Sequence, residues 1–94
     1  MSNENLHERR ALTFLDRWQE ARSEAVWVVR HLTTAEIIEL GDLERLGETH
    51  DSMFGVAARL ASFGLVEAGT VRIGAWKLTP WGKFVAQTAK ELAQ

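Results

Sequence analysis

Asp42-Leu43-Glu44-Arg45-Leu46-Gly47, then Ser52-Met53-Phe54-Gly55-Val56-Ala57-Ala58-Arg59-Leu60-Ala61-Ser62-Phe63, then Gly64-Leu65-Val66-Glu67, and finally Leu78-Thr79-Pro80-Trp81-Gly82 decide how this chain folds. The first block ends a short helix at Gly47, the residue that best tolerates a left-handed helix end. Glu48-Thr49-His50 reads as a tight turn, and Asp51 or Ser52 caps the second helix. Within that helix Phe54, Val56, Ala57, Leu60, Ala61 and Phe63 form the inward set, while Ser52, Gly55, Ala58, Arg59 and Ser62 fall on the outward arc. Gly64 stops the helix, and Val66–Ala75 is β-prone with Gly69 and Gly74 as turn residues. Ala75–Thr79 is the returning strand.

The flanking segments complete a small domain. Residues 4–31 read as one long helix with a point of bending near Ser23; Leu6, Phe14, Trp18, Ala21, Ala25 and Val29 recur at helical spacing. This helix is longer than the following core needs, and excess apolar helix commonly packs on a second copy. Thr33 and Glu36 are spaced as a capping box that starts a helix over Ala35–Leu46, bearing Ile37, Ile38, Leu40, Leu43 and Leu46. Gly41-Asp42 is a place where that helix could divide, with Asp42 as a fresh cap. Thr79-Pro80 starts the last helix, which runs to about Leu92 with Phe84, Val85, Thr88, Ala89 and Leu92 along one side.

Bulk properties narrow the class. Ninety-four residues hold one core and not two. A composition of 46% hydrophobic and 26% charged residues is that of an ordinary globular domain rather than a disordered chain. Without cysteine there is no disulfide framework and no thiolate metal site. The opening residues Met1–Arg10 lack the apolar segment of a leader, and Ala25–Val29 is too short to cross a bilayer. The expectation is a cytoplasmic protein with no membrane contact.

The net charge of −2 is unevenly spread. Residues 36–51 set six acids (Glu36, Glu39, Asp42, Glu44, Glu48, Asp51) against Arg45 alone. Residues 52–90 set Arg59, Arg72, Lys77, Lys83 and Lys90 against Glu67 alone. The basic side thus coincides with the second helix and the hairpin. The acidic helix before it reads as a solvated face, or as a surface that repels phosphates or attracts a basic protein.

Leu43-x-x-Leu46-Gly47, Val56-x-x-x-Leu60-x-x-Phe63-Gly64-Leu65-Val66 and Leu78-Thr79-Pro80-x-Gly82 together resemble the winged-helix pattern of MarR-like and PadR-like bacterial regulators, over somewhat more than half of the chain. The resemblance implies a mainly α fold with a small β-hairpin wing. It divides into a long N-terminal helix (4–31), a helix-turn-helix plus wing (33–79) and a C-terminal helix (80–92). It also implies a homodimeric, sequence-specific DNA-binding transcriptional regulator whose second helix enters the major groove. Carried onto this chain, the groove-facing residues are His50, Ser52, Gly55, Ala58, Arg59 and Ser62. Arg72, Lys77 and Lys83 would hold phosphates, and Phe14, Trp18, Phe84 and Leu92 would form the dimer interface. The chain departs from the pattern in that small residues dominate the helix, leaving Arg59 as the one side chain suited to a bidentate contact with guanine.

Each feature also has a plainer reading. Arg59 could instead pair with Asp51 or Glu67, and His50 could be only a turn residue. Trp18 and Trp27 suit a core or dimer contact; Trp76 and Trp81 suit packing of the wing, or anchoring of a protein partner. His7, His31 and His50 are too scattered for a metal site, and no nucleophile–base set or phosphate loop points to an enzyme or a cofactor. The alternative function is a winged-helix protein-interaction module, a complex subunit or a phage or mobile-element inhibitor, that ignores DNA.

Overall fold

A computed structural model describes the backbone of residues 3–49, 54–70 and 73–94, and the side chains of 16–48, 56–70 and 73–94. It is mainly helical, with a small antiparallel sheet. In chain order the elements are α1 (Asn3–His31), α2 (Thr34–Leu46), β1 (Glu48–Thr49), α3 (Phe54–Ser62), β2 (Val66–Ala68), β3 (Trp76–Leu78) and α4 (Pro80–Ala93).

The capping box forms as its spacing predicts. The Thr33 hydroxyl accepts from Glu36 N–H at 3.2 Å, and Glu36 Oε1 accepts from Thr33 N–H at 2.7 Å. From there α2 runs unbroken through Gly41-Asp42, since Leu40 and Leu43 on either side are both buried in one core. Ile38 and Leu46, counted with the apolar set of this helix by the sequence, turn out to be exposed. Gly47 ends the helix with a positive φ of 87°, and its N–H closes on the Leu43 carbonyl.

Of the tight turn expected at Glu48-Thr49-His50, the first two residues are strand instead, and His50 lies outside the described residues. Glu48 and Thr49 make a short strand that pairs antiparallel with β3, Glu48 opposite Lys77 and Thr49 opposite Trp76. Among the described residues the sheet therefore has three strands in the order β1-β3-β2, not the two of a simple hairpin. The physical reason is that β3 has two edges. β2 satisfies one of them, and the backbone leaving Gly47 satisfies the other.

The core joins all four helices. Ala25, Val28 and Val29 come from α1, Leu40 and Leu43 from α2, Leu60 from α3, and Val85 and Ala86 from α4, with Leu32, Leu65, Val66 and Leu78 between them. Trp76 and Trp81 are half-buried against this core, as expected for residues that pack the hairpin and α4. On α1, by contrast, residues 16–20 are all exposed. The radius of gyration is 16.5 Å, against about 12 Å for a compact domain of this length. A 29-residue α1 whose residues 16–20 are all exposed accords with that excess.

α3 ends at a joint that both motifs of the sequence build together. Leu65 N–H reaches back to the Leu60 carbonyl at 3.0 Å and Gly64 N–H to Ala61 at 2.9 Å, the paired bonds of a Schellman cap, with Leu60 and Leu65 both fully buried. Gly64 supplies the required positive φ, 75°. The Thr79 hydroxyl then donates to the Gly64 carbonyl at 2.6 Å and accepts from Gly82 N–H at 2.9 Å. Thr79 N–H donates to the Leu65 carbonyl at 3.0 Å. Gly82 is there because nothing larger fits: a Cβ would stand 1.9 Å from the Leu65 carbonyl oxygen.

Candidate nucleic-acid interface

α3 is the candidate groove helix, and its two arcs differ as the sequence predicts. Ala57 and Leu60 are buried, whereas Ala58, Arg59 and Ser62 are exposed. The Ser62 hydroxyl folds back onto the Arg59 carbonyl at 2.6 Å, so in this state it serves its own helix. His50, Ser52 and Arg72 lie outside the described residues, as do the surroundings of Gly55.

Arg59 has a different partner from either one considered above. Its Nε stands 3.0 Å from Glu36 Oε2, a close charge contact rather than an aligned hydrogen bond, and one Nη donates to the His31 carbonyl at 2.8 Å. The guanidinium also lies 5.7 Å from the centre of the Phe63 ring. Glu36 itself is 2% exposed, so the capping carboxylate holds α2 with one oxygen and meets α3 with the other. Sequence reasoning missed this because the capping box already accounted for Glu36. The available signal was the carboxylate's second oxygen, which the cap leaves free.

Lys77, Lys90, Arg45 and Arg22 are also drawn into the fold. Lys77 sits on the middle strand directly opposite Glu48 on one side and Glu67 on the other, with its ammonium 3.9 Å from Glu67. Such cross-strand pairs of opposite charge stabilise a sheet modestly. Glu48 accepts in turn from the Thr70 N–H and hydroxyl. Lys83 is exposed and lines one shallow cleft with Lys77, Glu44 and Glu48, at the end of α2 and the start of α4. The structure thus brings Lys77 and Lys83 together, beside the acids Glu44 and Glu48. Lys90 pairs with Glu44, and Arg45 with Asp42.

The proposed dimer residues divide as well. Trp18 is 48% exposed and Leu92 46%, and the neighbouring Arg22–Glu91 ion pair ties α1 to α4. Arg22 also lies over the Trp18 ring. Phe84 is half-buried against the chain's own core and stacks on Trp81, and the side chain of Phe14 lies outside the described residues. Trp27, given a core or dimer role by the sequence, is exposed and stacks on His31 with ring centres 3.9 Å apart.

Among the described residues no group of histidine and carboxylate side chains could hold a metal ion, and no helix is long and apolar enough to cross a membrane. No protein-family model, curated protein or solved structure matches this chain.

Proposed function

We propose that this chain is a winged-helix DNA-binding protein, acting as a cytoplasmic homodimeric transcriptional regulator. The observation that carries the reading is α3. Its inner arc is buried on the core, its outer arc at Ala58 and Ser62 is left exposed, and the β2–β3 pair follows it immediately. A helix so held can enter a major groove, and small outward side chains permit close approach of the backbone. Lys83 and Arg72 would add phosphate contacts. The exposed run of α1 around Trp18, with Leu92, would be the dimer contact, spacing two α3 helices about 34 Å apart on one face of the duplex.

A second reading, a winged-helix protein-interaction module, is favoured by a specific pair of observations. Arg59, Lys77 and Lys90 all have carboxylate partners within the fold, while Ile38, Leu46 and Ile73 are exposed apolar side chains. A protein surface would use those apolar groups; a phosphate backbone would not.

Fluorescence anisotropy with a labelled random duplex and the duplex of the protein's own promoter separates the two. The DNA reading expects binding tighter than about 10 µM at low salt that weakens steeply as salt rises. It also expects Ala58→Glu with Ser62→Glu to abolish that binding while the melting temperature stays within a few degrees. Flat anisotropy on both duplexes at low salt would transfer the assignment to the protein-interaction module.

A further inference from the structure

The guanidinium of Arg59 stands where three helix ends meet. The last turn of α1 leaves backbone carbonyls without helical partners, and the His31 carbonyl is one of them; Arg59 satisfies it at 2.8 Å. The first turn of α2 supplies Glu36, buried, held at 2.7 Å by Thr33 N–H and 3.0 Å from Arg59 Nε. α3 supplies Arg59 itself and Phe63 beneath the guanidinium plane. A cation at the C-terminus of α1 is also favourably placed in that helix's dipole field. Two prongs of one planar fork thus hold α3 to both helices at once, a geometry that lysine cannot reproduce.

We infer that Arg59 is a positioning residue that fixes the orientation of α3 on the α1–α2 joint, and does not itself contact bound duplex. The inference rests on the DNA-binding reading for its affinity readout only. It reassigns the one side chain of α3 that the sequence offers for base reading. Recognition then falls to the backbone and the small residues of the outer arc. It also makes Glu36, which lies on a different helix and is buried, part of the binding machinery at one remove. Finally, it places the C-terminal end of α1, the helix whose run around Trp18 is proposed to dimerise, in direct contact with the groove helix.

The test compares full-length Arg59→Ala, Glu36→Gln and the double variant, by duplex anisotropy across salt and by native-state hydrogen exchange. A positioning role expects both single variants to bind about tenfold more weakly and the double variant no more weakly than the worse single, because each breaks the same joint. It expects an unchanged salt slope for Arg59→Ala, whereas a lost phosphate contact lowers the slope by about one. Exchange should quicken about tenfold at the amides of residues 57–63 in both single variants while those of 85–89 in α4 keep their rates. Direct contact expects the opposite sign for Glu36→Gln. Removing a negative charge and freeing the guanidinium would leave binding as tight as wild type or tighter, and that result overturns the inference. If the wild-type chain binds no duplex, the DNA reading fails and the exchange arm decides alone: faster exchange confined to α3 upholds the joint, and unchanged exchange refutes it.

Discussion

Two joints hold α3 to the rest of the molecule, and they are built from opposite materials. At its C-terminal end, Gly64 and Leu65 meet Thr79 and Gly82 through backbone carbonyls, backbone N–H groups and a single hydroxyl. One turn earlier, Arg59 meets Glu36 and the His31 carbonyl through a long side chain reaching across the helix junction. The first joint needs particular residue types at fixed spacing: a glycine for a positive φ, a hydroxyl for a cap, and a glycine where two backbones touch. The second needs an arginine fork that reaches a buried carboxylate and a helix-end carbonyl together, and no fixed spacing along the chain announces that meeting.

The backbone joint is the one that should break hardest. In Gly82→Ala the new methyl would lie 1.9 Å from the Leu65 carbonyl oxygen and 2.9 Å from its carbon, so no rotamer relieves the clash and α4 must move off its seat. A cost of about 3 kcal/mol or more is expected, at the upper end of overpacking effects. For a domain of this size that lowers the melting temperature by about 12 °C or more. A variant melting within about 4 °C of wild type would show that the contact between the two motifs is slack.

The charged joint should yield less. Glu36→Ala removes the acceptor for Thr33 N–H and the partner of Arg59 together. Loss of a cap contributes about 1 kcal/mol, and loss of an ion pair whose cation is half in water adds about as much again. We expect about 2 kcal/mol by urea unfolding, with Glu36→Gln, which keeps an acceptor for the cap, near half of that. Equal losses for Ala and Gln would mean that the charge, not the cap, holds the junction.

This contrast explains what was legible in the sequence. Helix positions, the Thr33 capping box, the glycine exit from α3 and the Thr79-Pro80 start of α4 depend on local chemistry, and local chemistry is written in order along the chain. The inner and outer arcs of α3 follow from the 3.6-residue period alone. β1 was not legible, because two residues carry no periodicity; their conformation is set by the free edge of β3, nearly thirty residues away in sequence. The partner of Arg59 was not legible for a similar reason. Asp51 and Glu67 are closer along the chain, but the fold brings α2's first turn to α3 and buries Glu36 there. The exposure of Ile38, Leu46 and Trp27 was missed because apolar type alone does not say which side of a helix meets the core.

The acidic helix changes meaning in the same light. Glu36, Asp42, Glu44 and Glu48 each engage a group of this chain, namely Arg59, Arg45, Lys90 and Thr70. Two of these acids, Glu36 and Glu44, fasten α2 to α3 and α4, while Asp42 pairs within α2 and Glu48 ties β1 to the segment after β2. The cations those acids bind are withdrawn from the same pool that would meet DNA. Structural pairing therefore weakens the electrostatic case for nucleic acid without weakening the case for the fold.

The mildest of these ties marks the limit of the comparison. Lys90 and Glu44 join α4 to α2, but the lysine side chain is 55% exposed and the glutamate 25%. Pairs of this kind contribute about 0.5 kcal/mol or less, because water screens the attraction and the ordered lysine loses rotamer freedom. Lys90→Met, which keeps the aliphatic stem, should cost no more than that, and the difference from wild type should shrink at high salt. The second oxygen of Glu44 is buried without a hydrogen-bond partner, which supplies a contrary pull. If it leaves the carboxylate dependent on Lys90, the loss would exceed about 1.5 kcal/mol and persist in salt, as expected of a buried charge robbed of its partner. Salt dependence therefore separates a surface tie from a second joint of the Glu36 kind, and on exposure alone Glu44 belongs with the surface ties.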